Sequence, residues 1–167
     1  MTGRVKTRWG SGTPSGGTQT VANEFNDLEG ILTGILNSLS EPTLWGWNAR
    51  PNGAFLVITE QDSEKVMNCL AVSFDQKWDE ESLKGASSDV TEVVDYLSGI
   101  RERQYLFTKK LSDSLILYGA FWPWATSSRV SVRVSAYALG QADLNPEQTQ
   151  ALLNATLTAN GNVKSES

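Results

Sequence analysis

The stretch from Ser114 to Leu139 constrains the fold of this 167-residue chain most, because it is strongly apolar and alternates regularly. In its second half the apolar residues occupy every second position from Val130 to Ala138, and mainly polar residues stand between them. A period of two predicts a strand with one buried face. The first half, Leu115 to Trp122, is apolar on both faces, which is typical of a strand at the centre of a sheet.

The two halves of this stretch are joined by a segment with turn chemistry. Pro123 lies between two tryptophans and donates no backbone hydrogen bond, so it ends a strand ladder. Residues 125–128 are small or polar and suit a turn. The stretch therefore predicts an antiparallel hairpin.

The other apolar patterns predict three helices and three more strands. Apolar residues at spacings of three and four indicate the first helix, and Asn145 followed by Pro146 is a typical start for the last one. The helices are expected at residues 20–39, 88–103 and 146–158, and the strands at residues 54–60, 65–74 and 105–109. We expect the strands 54–60 and 65–74 to form a second hairpin.

These elements predict an α+β fold in the order α-β-β-α-β-β-β-α. An antiparallel sheet of about five strands is expected to carry its three helices on one face. A chain of this length favours one domain. We assign residues 1–19 to a flexible basic arm rich in glycine and serine, residues 20–160 to a single α+β domain, and residues 161–167 to a polar tail.

The charge is unevenly distributed. Residues 1–20 contain Arg4, Lys6 and Arg8 and no acid, which gives +3, whereas the other 147 residues contain eleven bases and nineteen acids, which gives −8. An acidic body disfavours nucleic-acid binding except through the arm, because phosphate contacts need a continuous basic surface. Trp9 is expected either to dock on its own domain or to anchor the arm on a partner.

The absence of histidine and the presence of one cysteine exclude many chemistries. Catalytic triads, histidine-ligated metals, thiolate zinc sites and iron–sulfur clusters all need residues that this chain lacks. We therefore expect no catalytic residues, no metal and no cofactor. Neither a secretory signal nor a membrane-spanning segment is recognisable, so we expect a soluble, cytoplasmic protein without membrane insertion.

Two tryptophan pairs and two arginines are the candidate binding residues. Trp45 and Trp47 are two residues apart, as are Trp122 and Trp124, so each pair shares one face of an extended chain. Each pair is either an aromatic platform for a partner or part of the core. Arg129 and Arg133, on the polar face of the last strand, could bind an acidic partner or pair with the domain's own carboxylates.

The pattern favours a non-enzymatic interaction or assembly module, such as an acidic chaperone-like or adaptor protein, whose partner is another protein or a second copy of itself. The partner-binding candidates are the tryptophan pairs with the two arginines, and the arm contacts are Arg4, Lys6, Arg8 and Trp9. The alternative is a structural subunit of a virus or phage particle whose arm contacts a neighbouring subunit. A third hypothesis is a metal-independent hydrolase with paired carboxylates, since residues 60–102 contain eleven acids.

Overall fold

The computed structural model describes residues 24–49, 52–141 and 143–162. These residues form one antiparallel sheet of six strands together with four α-helices. The strands are β1 (Gly46–Ala49), β2 (Asn52–Thr59), β3 (Gln76–Trp78), β4 (Tyr105–Ser112), β5 (Leu115–Pro123) and β6 (Arg129–Ala138). The helices are α1 (Leu28–Asn37), α2 (Ser63–Ser73), α3 (Ser88–Tyr96) and α4 (Pro146–Gly161). The predicted α+β class is confirmed, with more strands and helices than expected.

The predicted hairpin between Ser114 and Leu139 lies at the centre of the sheet. The strand order is β1-β2-β6-β5-β4-β3, so β5 and β6 are the two inner strands. Residues 115–121 are buried without interruption. This agrees with the apolar character of both faces of β5.

The sheet has helices on both faces, so the expectation of one helical face is wrong. Helices α1, α2 and α4 pack on the face that contains alternate residues of β6, Val130 to Ala136. Helix α3 packs on the other face, where Val90 and Val93 contact a cluster with Ile116 and Tyr118. The physical reason is that β5 is apolar on both sides and must be covered on both sides.

The prediction of a strand at residues 65–74 is also wrong, because this segment is helix α2 and the expected second hairpin does not form. Val66, Leu70 and Phe74 are buried and are spaced by four residues, a spacing that a strand and a helix both satisfy. Val72 distinguishes the helix from the strand. In a strand it would lie on the same buried face as Leu70, but it is 87% exposed, as a helix allows. Strand β2 pairs instead with β1 and β6.

The two edge strands were not predicted. Strand β1 has four residues and β3 has three, which is too short to show a period of two. Short strands at the edges limit the number of unpaired backbone groups available to other chains.

Two helices are shorter than expected. Helix α3 ends at Tyr96 and does not reach residue 103, because Ser98 and Gly99 adopt positive φ angles and the Gly99 N–H bonds to the Val94 carbonyl, as in a helix C-terminal cap. Helix α1 begins at Leu28, after a turn at residues 25–27. The arm 1–19 and residues 163–167 of the tail lie outside the described residues, so the domain boundaries stay predictions.

Helix α4 holds the segment that leads into β1. The Asn160 side chain accepts a hydrogen bond from the Trp45 N–H at 2.8 Å and donates one to the Trp45 carbonyl at 3.1 Å. The Trp45 ring is buried, and its indole N–H donates to the Leu32 carbonyl at 3.0 Å. One asparagine thus pairs with both backbone groups of a residue that is fixed in the core.

Replacing Asn160 with alanine should lower the free energy of unfolding by about 1–3 kcal/mol, because both polar groups of the Trp45 backbone lose a partner. Asn154→Ala is the matched control, since Asn154 is an exposed residue of the same helix and both changes gain the same helix propensity. The control should change stability by about 0.5 kcal/mol or less. Urea unfolding followed by circular dichroism measures both variants, and equal effects would contradict the role given to Asn160.

Candidate interaction surface

Helix α3 leaves part of its face of the sheet uncovered. There, β2, β6 and β5 place Phe55, Arg133 and Ala120 side by side, since Phe55 pairs with Arg133 and Arg133 with Ala120. Two residues further along β5, Trp122 pairs with Ser131 of β6. These five side chains and Leu97, at the end of α3, line a cavity of about 140 Å³ that we call the sheet groove.

Arg133 provides the positive charge of the sheet groove. Its guanidinium carbon lies 5.7 Å from the centroid of the Phe55 ring, within the range of a cation–π contact. Its Nε atom is buried and has no hydrogen-bond partner. The four ion pairs among the described residues are all formed by lysines, so neither Arg129 nor Arg133 is neutralised by a carboxylate of the described domain.

Trp122 and Trp124 lie at the rim of the sheet groove, on the same side of the sheet. Trp122 is half-buried in the groove lining. Trp124 is 44% exposed, and its indole N–H donates to the Ser131 hydroxyl at 2.7 Å. A second bond, from the Trp124 backbone N–H to the Arg129 carbonyl, fixes the residue at the end of the hairpin.

Trp45 and Trp47 lie on the opposite face. Trp45 is buried in the core beneath α1 and α4, and Trp47 packs against the same core. The structure therefore brings together Trp122, Trp124 and Arg133, with Arg129 exposed on the same strand, and places the first tryptophan pair elsewhere. The predicted arm contacts Arg4, Lys6, Arg8 and Trp9 lie outside the described residues.

Sequence reasoning missed four residues of the sheet groove: Phe55, Leu97, Ala120 and Ser131. Phe55 carried a signal, because β2 is apolar on both faces, with Leu56 and Ile58 in the core and Phe55 and Val57 on the opposite side. Leu97 carried a signal as well, because it follows Val90 by seven residues and Val93 by four and so continues the apolar stripe of the predicted helix 88–103. Leu97 packs against the same cluster as Val90 and Val93 and also lines the groove.

A second, polar pocket of about 390 Å³ lies between β3, β4 and α3 and bears on the hydrolase hypothesis. Asp75 and Asp89 both line it, but the Lys110 ammonium lies 2.8 Å from the Asp89 carboxylate. The hydrogen bond from Lys110 to Asp89 raises the pKa of Lys110, so the lysine stays charged. In the part of the chain that the structure describes, no three acidic or cysteine side chains gather as a metal site would require.

Tyr96 of α3 and two tyrosines of the sheet beneath it, Tyr118 and Tyr137, belong to one cluster beside the sheet groove. Tyr96 and Tyr137 are in edge contact with ring centroids 5.1 Å apart, and burial raises the pKa of both. Burial also raises the pKa of Tyr118 to about 12. Its hydroxyl is buried without a hydrogen-bond partner, and the neighbouring Ser135 hydroxyl donates to the Asn52 carbonyl. These hydroxyls are neutral near pH 7 and provide no base.

The raised pKa of Tyr118 predicts a loss of stability in alkali. Below pH 10, its ordinary pKa, the hydroxyl is protonated in both the folded and the unfolded chain. Between pH 10 and pH 12 the unfolded chain ionises first, so the free energy of unfolding should fall by up to about 2–3 kcal/mol from this group. Tyr118→Phe should remove this part of the loss without destabilising the protein at pH 7, because an unpaired buried hydroxyl is deleted.

Urea unfolding at pH 7 and at pH 11, with tyrosinate absorbance, tests this expectation. Tyr105→Phe is the matched control, because Tyr105 lies outside the cluster and packs against Phe121 on the other face. An identical loss of stability in alkali for wild type and Tyr118→Phe would show that Tyr118 does not titrate as described.

No protein-family model matches this chain, and no curated protein or solved structure shows a significant similarity to it. Among the described residues, no helix has the length and apolar character needed to cross a bilayer.

Proposed function

We propose that the protein is a non-enzymatic interaction module that holds a segment of another protein in the sheet groove. The observation that carries this proposal is the groove itself, in which Phe55, Trp122 and Arg133 line one cavity beside the exposed Trp124. Aromatic residues and arginine are enriched in the energetic centres of protein interfaces. The other large exposed apolar side chains of the described residues are Leu44, Val72 and Leu157, and none of them lines this groove.

The size of the groove supports a protein partner over a small molecule. Sites for drug-sized ligands measure about 300–1,000 Å³, whereas this cavity measures about 140 Å³. A volume of this kind accepts one side chain of a larger partner. The rim at Trp124 then supplies additional contact area around that anchor.

The charge of the groove supports the same class of partner. Arg129 and Arg133 are the charged residues that β6 contributes to this face, while the whole chain has a net charge of −5. Two cations in an acidic body do not form the continuous basic surface that nucleic acids require. They do suit a local contact with a protein segment.

A selection from a displayed library of random linear peptides tests the proposal. Full-length protein should enrich peptides whose binding weakens at least about 30-fold in Trp122→Ala, because an aromatic interface anchor contributes about 2 kcal/mol or more. Val72→Ser is the matched control, since Val72 is 87% exposed on helix α2, which covers the other face of the sheet. The control should bind the same peptides with unchanged affinity.

Peptides that bind equally well to the wild type and to Trp122→Ala would place the binding surface elsewhere, and failure to enrich any peptide would count against an interaction module for linear segments. Circular dichroism of each variant must show an intact fold.

The alternative, a particle subunit, predicts a different behaviour: the solution mass of the full chain would rise to large closed assemblies with concentration. A stable monomer or dimer that captures the peptides supports the module.

A further inference from the structure

We infer that Arg133 determines the specificity of the sheet groove by binding a carboxylate that the partner segment carries next to an apolar group. This inference rests on the proposed function and names the chemistry of the partner. It is drawn from the position, the burial and the missing partners of one guanidinium.

Arg133 is held in place before any partner arrives. It lies on the inner strand β6, between Phe55 of β2 and Ala120 of β5. The Phe55 ring lies beside the guanidinium, and the small Ala120 side chain leaves space on the other side. A planar guanidinium restrained on an aromatic ring loses little freedom when it binds an anion.

The hydrogen-bonding capacity of Arg133 is incomplete in the free domain. Its Nε–H is buried without an acceptor, and no ion pair among the described residues involves this residue. A buried donor without a partner is energetically costly. A carboxylate accepts two parallel hydrogen bonds from a guanidinium, and the Arg133 side chain lines the cavity that such a group would enter.

The walls of the groove determine which anion fits. The cavity of about 140 Å³ has an apolar lining at four residues, namely Phe55, Leu97, Ala120 and Trp122. An anion attached to an apolar group buries this surface, whereas the net charge of −5 of the chain disfavours phosphate-rich polyanions. The partner chemistry is therefore a single carboxylate with an adjacent apolar or aromatic side chain, from aspartate, glutamate or a chain terminus.

Two small probes test the carboxylate directly, by nuclear magnetic resonance on the ¹⁵N-labelled full chain. The first is 3-phenylpropionate, and the second is its uncharged amide, 3-phenylpropanamide. The acid should shift the Arg133 Nε–H and the Trp122 indole N–H in a saturable titration, and the amide should bind at least about 10-fold more weakly, since a charge-assisted bidentate contact is lost.

Three variants separate the bidentate contact from the general positive field. Arg133→Gln should abolish the preference for the acid, and Arg133→Lys should retain only part of it, because lysine keeps the charge and loses the planar fork. Arg129→Gln is the matched control, since Arg129 lies four residues away on the same face of β6 and is not part of the groove lining. It should retain the preference. Unfolding midpoints confirm that each variant is folded.

Equal binding of the acid and the amide by the wild type would overturn the role of Arg133, as would equal losses in Arg129→Gln and Arg133→Gln. Amidated peptides that carry Glu-Phe or Gln-Phe distinguish a side-chain carboxylate from a chain terminus. Peptides that depend on Trp122 but carry no carboxylate would overturn this inference and leave the proposed function standing. If the acid binds through Arg133 but no peptide depends on Trp122, the proposed function would be overturned and the role of Arg133 in binding carboxylates would stand.

Discussion

The pairing of β5 with β6 is the interaction on which the rest of the structure depends. Strand β5 is apolar on both faces, so both faces of the sheet need cover. Three helices cover one face, and α3 covers the other. A helix of nine residues is about 14 Å long and cannot cover a six-stranded sheet. The groove beside Leu97 lies on a part of the sheet that α3 leaves open.

The sequence of β6 suits this partial cover. Near its end, Ser135 and Tyr137 face α3 and are buried. Near its start, Arg129, Ser131 and Arg133 occupy the same face and are exposed or half-buried. A charged side chain fully buried under α3 would be desolvated without a partner, whereas Arg129 is exposed and Arg133 is only half-buried. One strand thus carries a core half and a surface half on the same face.

The fold class and the central hairpin could be predicted from the sequence, because apolar residues at every second position over the length of β6 are compatible with a strand and not with a helix. It was insufficient for α2, where Val66, Leu70 and Phe74 fit both a strand and a helix until tertiary packing exposes Val72. Of the candidate site residues, Trp122, Trp124 and Arg133 could be found from spacing. The local sequence could not show which of the two tryptophan pairs lies in the core, because that depends on which face of the sheet α1 and α4 cover.

The choice of cation strengthens the case that the sheet groove has a ligand. Lysines form the four ion pairs among the described residues, although arginine makes the better bidentate partner for a carboxylate. Arg133, in contrast, lies against an aromatic ring with a buried donor unused. An arginine that served only solubility would cost less free energy at an exposed edge of the sheet than in its centre. Its position on an inner strand, between Phe55 and Ala120, is what the proposed acceptor from another molecule would explain.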